Sequence, residues 1–121
     1  MIENPLITIF VPVFNGEKYL DETLLSIQAQ TYTHFEVLLV DDSSTDTSRA
    51  ILDKYANSDT RFKVFSKENG GIVAKSWNFI MSFVNGDYFF YASQDDLFSI
   101  DLIEKMVQKQ QQSQADTVLP D

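Results

Sequence analysis

Long apolar runs alternate with helical patterns along the chain, and each run ends in a polar turn. Leu6–Val13 is a continuous apolar, β-branched run, which is typical of a strand buried on both faces of a sheet. Phe35–Val40 repeats this pattern, and Phe62–Phe65 and Tyr88–Ala92 are shorter runs of strand-forming residues. The pattern therefore predicts four strands in this order, and Thr117–Leu119 has the composition expected at the start of a fifth.

Apolar residues recur at helical spacing between these strands. Leu20, Leu24 and Ile27 define a first helix, and Asn15 before it is the expected N-cap. The other predicted helices run from about Asp46 to Tyr55 with Ile51, Leu52 and Tyr55 on the inner face, along Val73, Trp77, Ile80 and Val84, and from about Ile100 to Gln111. Strands and helices that alternate in this way indicate βαβ units. We therefore expect an α/β fold with a mostly parallel sheet flanked by helices.

Length and composition limit the chain to one domain. The 121 residues, of which 44% are hydrophobic, suffice for a single core and are too few for two. We find no internal repeat and no linker. Because the sequence stops just after the strand-like segment Thr117–Leu119, we expect it to be the first half of a longer domain.

Charge and residue usage exclude several classes of function. Eighteen acidic and nine basic residues give a net charge of −9, so we expect no nucleic-acid partner. The absence of cysteine excludes disulfides and thiolate zinc sites, and it fits a reducing compartment. No signal peptide and no apolar run of the roughly 20 residues needed to cross a membrane is visible. We expect a cytoplasmic protein. Peripheral attachment to the inner face of the membrane, through further segments, is the alternative.

Polar clusters follow three of the predicted strands. Asn15-Gly16 follows the first, Asp41-Asp42 the second and Ser93–Asp96 the fourth. Ligands of open α/β sheets bind outside the carboxyl ends of the strands, where these clusters should meet. Four carboxylates converging there would repel one another unless a cation lay between them. Mg²⁺ or Mn²⁺ fits better than zinc, because the chain has no cysteine and a single histidine.

Each cluster also has a purely structural interpretation. The sequence after Asp41 could be a turn with a helix N-cap, because Asp and Ser side chains bond nearby backbone N–H groups. Asp95 and Asp96 could lie in a solvated loop. His34 is expected to be a solvated turn histidine. Trp77 and the phenylalanines at strand and helix spacing are expected in the core, with the exception of Phe14, which follows a strand beside the candidate site.

The order and spacing of these segments resemble the opening of the inverting family 2 glycosyltransferases, which have a GT-A fold. The matching segments are Val11-Pro12-Val13-Phe14-Asn15, Leu20–Leu24, Gln30-Thr31-Tyr32, Phe35-Glu36, Val40–Asp46, Asn69-Gly70-Gly71, Asn78, Gly86-Asp87-Tyr88 and Gln94-Asp95-Asp96. Together they cover nearly the whole chain. The resemblance implies transfer of a sugar from a nucleoside-diphosphate donor, with UDP favoured, to a carbohydrate or lipid-linked acceptor, as in polysaccharide biosynthesis.

The resemblance also implies roles for particular residues. Pro12–Asn15 would form a wall of the nucleotide pocket, in which Phe14 stacks on the base. Within the Asp41-Asp42 pair, Asp42 corresponds to the residue that hydrogen-bonds the base. Lys75 and Asn69 could add contacts to the diphosphate.

The resemblance places the metal site at Asp95-Asp96. Asp96 would bind Mn²⁺ or Mg²⁺, and Asp95 would contact the ribose or a metal-bound water. Ser93 departs from the family's commoner Asp-x-Asp-Asp motif, which leaves Asp96 as the favoured ligand. The family's general base lies in the acceptor-binding half, after Asp121, so we nominate none here.

Three other classes of protein are alternatives. A response-regulator receiver also has an acidic pair after a strand, but that pair follows its first strand, and its third strand ends in an aspartate. Here the third strand ends in Ser66-Lys67. A non-catalytic sugar-nucleotide-binding module stays open, because the acceptor half is not part of the sequence. A nucleotidyltransferase would open with a Gly-rich basic loop, which this sequence lacks.

Overall fold

A computed structural model of the chain describes residues 4–66 and 84–113, with side chains up to residue 110. Its strands and helices, numbered here in chain order, are β1 (Ile7–Val13), α1 (Glu17–Gln28), β2 (Phe35–Asp41), α2 (Ser48–Ser58), β3 (Phe62–Ser66), β4 (Tyr88–Tyr91) and α3 (Leu102–Ser113). The alternation of strands and helices predicted from the sequence is confirmed. The predicted helix through Trp77 and the predicted strand at Thr117–Leu119 lie outside the described residues, apart from Val84.

All four strands are parallel and lie in one sheet, in the order β3-β2-β1-β4. Ile7 of β1 is opposite Phe35 of β2 on one side and Tyr88 of β4 on the other. All seven residues of β2 are buried, and so are six of the seven in β1. These two strands are the neighbours expected from their continuous apolar sequences, because only a strand covered on both faces is apolar throughout.

Alternate residues of β1 and β2 face two separate apolar clusters. The larger cluster joins Ile9 and Val11 of β1 to buried residues of α1, α2 and α3, so the three helices cover the same face of the sheet. The predicted inner faces of α1 and α2 are confirmed. Their members in this cluster are Leu20, Leu24, Ile27, Ile51, Leu52 and Tyr55. The smaller cluster, on the other face, is built on Phe10, Leu38 and Val40.

Several boundaries differ from those predicted. The second helix begins at Ser48 rather than Asp46, because the Asp46 carboxylate accepts a hydrogen bond from Ser48 N at 2.8 Å and so precedes the first turn. The last helix begins at Leu102 rather than Ile100, and it follows a loop that is tied to Gln30. Gln30 is buried, and its Oε1 accepts a hydrogen bond from Ile103 N at 3.0 Å.

A buried carboxylate joins the strands at the amino end of the sheet. Glu36 Oε2 accepts hydrogen bonds from Thr8 Oγ1 at 2.7 Å and from Asn85 N at 2.9 Å. Lys63 Nζ lies 3.3 Å from the other carboxylate oxygen, and Gly86 N donates to Thr8 Oγ1 at 2.9 Å. Burial raises the pKa of Glu36, but the hydrogen bonds from Thr8, Asn85 and Lys63 outweigh it, so the pKa lies below its usual value. The network anchors the turn that leads into β4.

None of the helices within residues 4–66 and 84–113 is long and apolar enough to cross a membrane. His34 is exposed, as predicted, and its Nδ1 lies 2.8 Å from the Asn4 carbonyl oxygen.

Candidate functional site

The carboxyl ends of β1 and β4 meet at a topological switch point. From β1 the chain adds β2 and β3 on one side of the sheet, and β4 then pairs with the other side of β1. Loops diverge at such a point, and open α/β sheets bind their ligands in the crevice between them. Within residues 4–66 and 84–113, three loops start at this edge: the β1 loop (residues 14–16), the β2 loop (residues 42–47) and the β4 loop (residues 92–101).

The β1 loop and the β2 loop are joined by hydrogen bonds in both directions. Asn15 N donates to Ser44 Oγ at 3.0 Å, and Gly16 N donates to Ser48 Oγ at 2.8 Å. In return, Asn15 Oδ1 accepts from Thr45 N at 2.7 Å. Asn15 has a φ of 47°, in the left-handed region that asparagine tolerates better than most residues. The side chain that forms this cross-link therefore also suits the backbone of the turn.

Asn15 is not the N-cap of α1, and this prediction is wrong. The N-cap is Gly16, and no side chain of its own turn caps the helix. Instead, Glu17 N donates to Asp46 Oδ2 at 3.2 Å, and Glu17 Oε2 accepts from Thr47 N at 3.1 Å. The capping acceptor comes from the β2 loop, 29 residues further along the chain, which a local sequence pattern does not reveal.

Asp41 and Asp42 are both buried but differ in their hydrogen bonding. Asp41 Oδ1 accepts from Ser44 N at 3.1 Å, which closes the start of the β2 loop. Asp42 N donates to Val13 O at 2.9 Å, so the backbone of Asp42 is fixed against the end of β1. Its side-chain Oδ1 is buried and has no hydrogen-bond partner within the described part of the chain.

An orphaned acceptor of this kind is uncommon in folded proteins. Leaving a buried acceptor without a donor costs about 1–3 kcal/mol, and most buried polar atoms are paired. Asp42 lies at the carboxyl end of the sheet, where ligands of this architecture bind. The arrangement therefore provides a buried carboxylate oxygen that can accept a hydrogen bond from a ligand.

Phe14 is 46% exposed at the end of β1 and is the predicted exception to the aromatic core. Pro12, two residues earlier in the strand, is half-buried. The backbone of Phe14 is held on both sides by the Gln94 amide. Phe14 N donates to Gln94 Oε1 at 2.9 Å, and Gln94 Nε2 donates to Phe14 O at 3.1 Å. The loop thus presents an exposed aromatic side chain on a fixed backbone.

Ser93 organises the two carboxylates of the β4 loop. Ser93 Oγ donates to Asp95 Oδ1 at 2.8 Å, and Ser93 N donates to Asp96 Oδ2 at 3.2 Å. Both aspartates are exposed. Each carboxylate is therefore oriented through one oxygen and is still accessible to a ligand. Ser93 is uncharged, so it adds no third negative charge to the loop.

The four aspartates do not converge as the sequence suggested. Within residues 4–66 and 84–113, no group of three or more acidic or histidine side chains is arranged to hold a metal ion. Asp41 accepts a hydrogen bond within its own loop from Ser44 N, whereas Asp95 and Asp96 are exposed on the β4 loop. Lys75 and Asn69 lie outside the described residues.

The polar residues that join the three loops were not identified from the sequence. Ser44, Ser48 and Thr23 belong to this set, and Gln94 was noted only as a member of a motif. Thr23 is buried in α1, and its Oγ1 donates to Gln94 O at 3.0 Å. Serine and threonine next to strand ends are usual in turns, so a single sequence gives no signal that they bond across loops.

The chain is similar in sequence and in fold to known glycosyltransferases. The sequence profile described as "Glycosyl transferase family 2" matches residues 8–121. Glycosyltransferase GlyG of Streptococcus pneumoniae is 39% identical over 114 residues, which are 94% of this chain and 38% of GlyG. The putative teichuronic acid biosynthesis glycosyltransferase TuaG of Bacillus subtilis is 32% identical over 104 residues, covering 86% of this chain and 41% of TuaG. The chain thus spans about two-fifths of these relatives.

Solved structures share the fold. S. aureus TarS 1-349 in complex with UDP-GlcNAc superposes with a TM-score of 0.74 at 27% identity, over 88% of this chain and 31% of TarS 1-349. A mannosyltransferase from Pyrobaculum calidifontis, solved with GDP-Man and Mn²⁺, gives a TM-score of 0.75 at 24% identity over 88% of this chain and 32% of that protein, a likeness of fold alone. The parallel sheet is that of the GT-A glycosyltransferases. From its sequence profile and its fold, the chain belongs to glycosyl transferase family 2.

Proposed function

We propose that this chain is the nucleotide-sugar-binding part of an inverting, metal-dependent glycosyltransferase that uses a UDP-sugar donor. The observation that carries the proposal is the orphaned Oδ1 of Asp42, a buried acceptor at the ligand-binding edge of a family 2 fold. The related TarS was solved in complex with UDP-GlcNAc, which supports a uridine nucleotide as donor.

The base would bind between Phe14 and Asp42. Phe14 offers an exposed ring for stacking, and its backbone is already fixed, so little conformational entropy is lost on binding. Asp42 accepts a hydrogen bond from a ring N–H of the base, such as the imide N–H of uracil. Pro12, Asn15 and Asp41 hold the wall of this pocket in place. A base that presents only acceptors at that position would leave the Asp42 oxygen unpaired, which favours uracil over cytosine.

The residues of the β4 loop fit a divalent cation that is shared with the donor. Mg²⁺ and Mn²⁺ bind in many phosphate sites through one or two carboxylates, the phosphate oxygens and water, rather than in an all-protein cage. Asp96 would be the ligand, with Asp95 on the ribose or on a metal-bound water. Such a cation supplies charge stabilisation for the leaving diphosphate, which an acidic protein with nine basic side chains is otherwise poor at providing.

The acceptor and the general base would belong to another part of the whole protein. The chain corresponds to 38% of GlyG and 31% of TarS 1-349, so both relatives have ample further sequence for these functions. We expect a carbohydrate or lipid-linked acceptor and a carboxylate base in that part.

Calorimetric titration tests the nucleotide site. We expect UDP to bind in the presence of Mn²⁺ and to bind more tightly than CDP, GDP or dTDP. Asp42→Ala should weaken UDP binding by about 1.5–3 kcal/mol, because it removes a charge-assisted hydrogen bond to the base. The same change at Asp53, a half-exposed acid on α2 that pairs with Arg49, alters the net charge equally and should leave binding unchanged. An affinity of Asp42→Ala equal to wild type would remove Asp42 from the pocket.

A second titration tests the metal. UDP should bind more weakly in EDTA than in Mn²⁺, and Asp96→Asn, which keeps the shape of the side chain but removes its charge, should lose most of this difference. Asp53→Asn is the matched control. A full metal response in Asp96→Asn would contradict the assignment, and failure of wild type to bind any nucleoside diphosphate would contradict the function itself.

A further inference from the structure

Gln94 is the residue that joins the two sides of the switch point. Its side-chain amide makes both hydrogen bonds of the Phe14 backbone, at 2.9 and 3.1 Å. Its own carbonyl oxygen accepts from Thr23 Oγ1 at 3.0 Å, and Thr23 is 1% exposed. The β4 loop is therefore attached to the β1 loop through the side chain of Gln94 and to α1 through its main chain.

The Gln94 amide fills the space beside Gly16. A Cβ added at Gly16 would lie 2.5 Å from Gln94 Oε1 and 2.7 Å from Gln94 Cδ, closer than non-bonded atoms approach. The φ of Gly16 is −104°, which any residue can adopt. A side chain at this position would therefore have to displace the Gln94 amide, whereas the backbone conformation itself allows any residue.

The attachment links groups with different roles. Phe14 belongs to the base side of the proposed site, whereas Asp95 and Asp96 directly follow Gln94 and belong to the ribose and metal side. Two hydrogen bonds to one backbone unit fix both the position and the orientation of the amide. Rotation of the β4 loop would break this pair of bonds, so the carboxylates keep a defined position relative to the aromatic wall.

We propose that Gln94 is a positioning residue that couples metal binding to nucleotide binding, an inference that rests on the proposed function. With Gln94 in place, a nucleotide stacked on Phe14 holds its diphosphate where Asp96 can share a cation with it. Without the two hydrogen bonds of the Gln94 amide, the base site and the metal site each remain, but the distance between them is no longer fixed. The mutual enhancement of UDP and Mn²⁺ binding then falls, and by linkage it falls equally for both ligands.

UDP binding to the full chain, measured with and without Mn²⁺ in wild type and in variants of Gln94 and Gly16, tests this coupling. The measured quantity is the enhancement factor, which is the UDP dissociation constant in EDTA divided by that in saturating Mn²⁺. Wild type should show a factor of about 10 or more, within the usual range of coupling between sites. Gln94→Met, which keeps the length of the side chain but removes both hydrogen bonds, should reduce the factor to about a third or less, so that UDP affinity falls further in saturating Mn²⁺ than in EDTA.

Gly16→Ala supplies an independent perturbation that leaves the chemistry of Gln94 intact. It should displace the amide and lower the enhancement factor in the wild-type background. In the Gln94→Ala background the same substitution should have no further effect, because all three atoms closest to the added Cβ belong to Gln94. Thermal unfolding of each variant records any general loss of stability.

The outcomes separate this inference from the proposed function. If wild type binds UDP with metal enhancement but both Gln94→Met and Gly16→Ala keep the full factor, the coupling role is overturned and the nucleotide site stands. A loss of UDP affinity that is equal in EDTA and in Mn²⁺ would show a merely structural role and would also overturn it. If wild type binds no UDP, the proposed function fails, and this inference fails with it.

Discussion

Asp41 and Asp42 are adjacent and equally buried, yet their truncation should change stability in opposite directions. Asp41 Oδ1 is paired with Ser44 N, whereas Asp42 Oδ1 has no partner among the described residues. Asp41→Ala leaves a backbone N–H without its acceptor. Asp42→Ala instead removes an oxygen that is desolvated in the folded state and hydrated in the unfolded state. We expect Asp41→Ala to destabilise the ligand-free protein and Asp42→Ala to stabilise it.

The size of each effect follows from the hydrogen bonds of each carboxylate. Loss of the Asp41 acceptor should lower the free energy of unfolding by about 1.5–3 kcal/mol, the usual net contribution of a hydrogen bond to a charged group. Removing the unpaired Asp42 oxygen should recover a similar penalty, offset in part by the small cavity that the missing carboxylate leaves, for a net gain of about 1 kcal/mol. Both variants remove one negative charge from a protein of net charge −9, so long-range repulsion cancels in the comparison.

Urea denaturation at neutral pH without ligand measures both values, and equal m-values would show that the unfolded states are comparable. For a domain of this size, 1 kcal/mol corresponds to a shift in Tm of several degrees, roughly 4–8 °C. Saturating UDP and Mn²⁺ should then stabilise wild type more than Asp42→Ala, because only wild type binds the nucleotide tightly. If Asp42→Ala destabilises the protein as much as Asp41→Ala, the Asp42 oxygen has a donor within the protein and the reasoning is refuted.

Two further predictions concern the amino end of the sheet. Glu36→Gln should lower the free energy of unfolding by about 1.5–3 kcal/mol at pH 7, whereas Glu22→Gln on the exposed side of α1 should have little effect. The folded-state pKa of Glu36 lies below its usual 4.5. The extra stability of wild type over Glu36→Gln should therefore be fully present above pH 4.5 and should be lost as the pH falls through that lower pKa. A stability difference that is unchanged at about pH 2 would contradict this. Gly86→Ala should destabilise by about 1–3 kcal/mol in urea denaturation, because its Cβ would lie 2.7 Å from Thr8 N and 2.9 Å from a second backbone atom. Gly16→Ala meets only a flexible side chain and should cost less, so equal losses would argue against the backbone clash.

The fold could be predicted because its strongest signals are local. Leu6–Val13 and Phe35–Val40 are apolar except at Thr8 and Glu36, and such a run is typical of a strand covered on both faces. The helix between them shows its inner face directly, since Leu20, Leu24 and Ile27 recur every three or four residues. The starts of helices were predicted less well. Asn15 and Asp46 have the side chains of N-caps, but Asn15 bonds to Thr45 of the β2 loop, and Asp46 bonds to the starts of both α1 and α2.

The position of the site could be predicted for a topological reason, whereas its internal bonding could not. Parallel strands end at one edge, so polar residues after β1, β2 and β4 had to lie along that edge. The partners of each side chain depend on contacts between loops that are 29 to 80 residues apart in sequence. Gln94 illustrates this limit, because nothing in its immediate sequence indicates that its amide binds the Phe14 backbone.

The pattern of hydrogen bonds separates the scaffold of the candidate site from the groups left for a ligand. Asn15 and Gln94 make bonds that join one loop to another, and Asp41 closes the start of the β2 loop. Asp42 has the opposite character, since it is buried at the same edge and its Oδ1 is unpaired within the described residues. Among the residues that the structure describes, the other buried side-chain polar atoms are paired, so this exception adds no stability to the free protein. An unpaired acceptor surrounded by rigid, paired neighbours costs stability in the free state and becomes favourable only when a donor enters, and this is why we propose that Asp42, and not the exposed Asp95, binds the base.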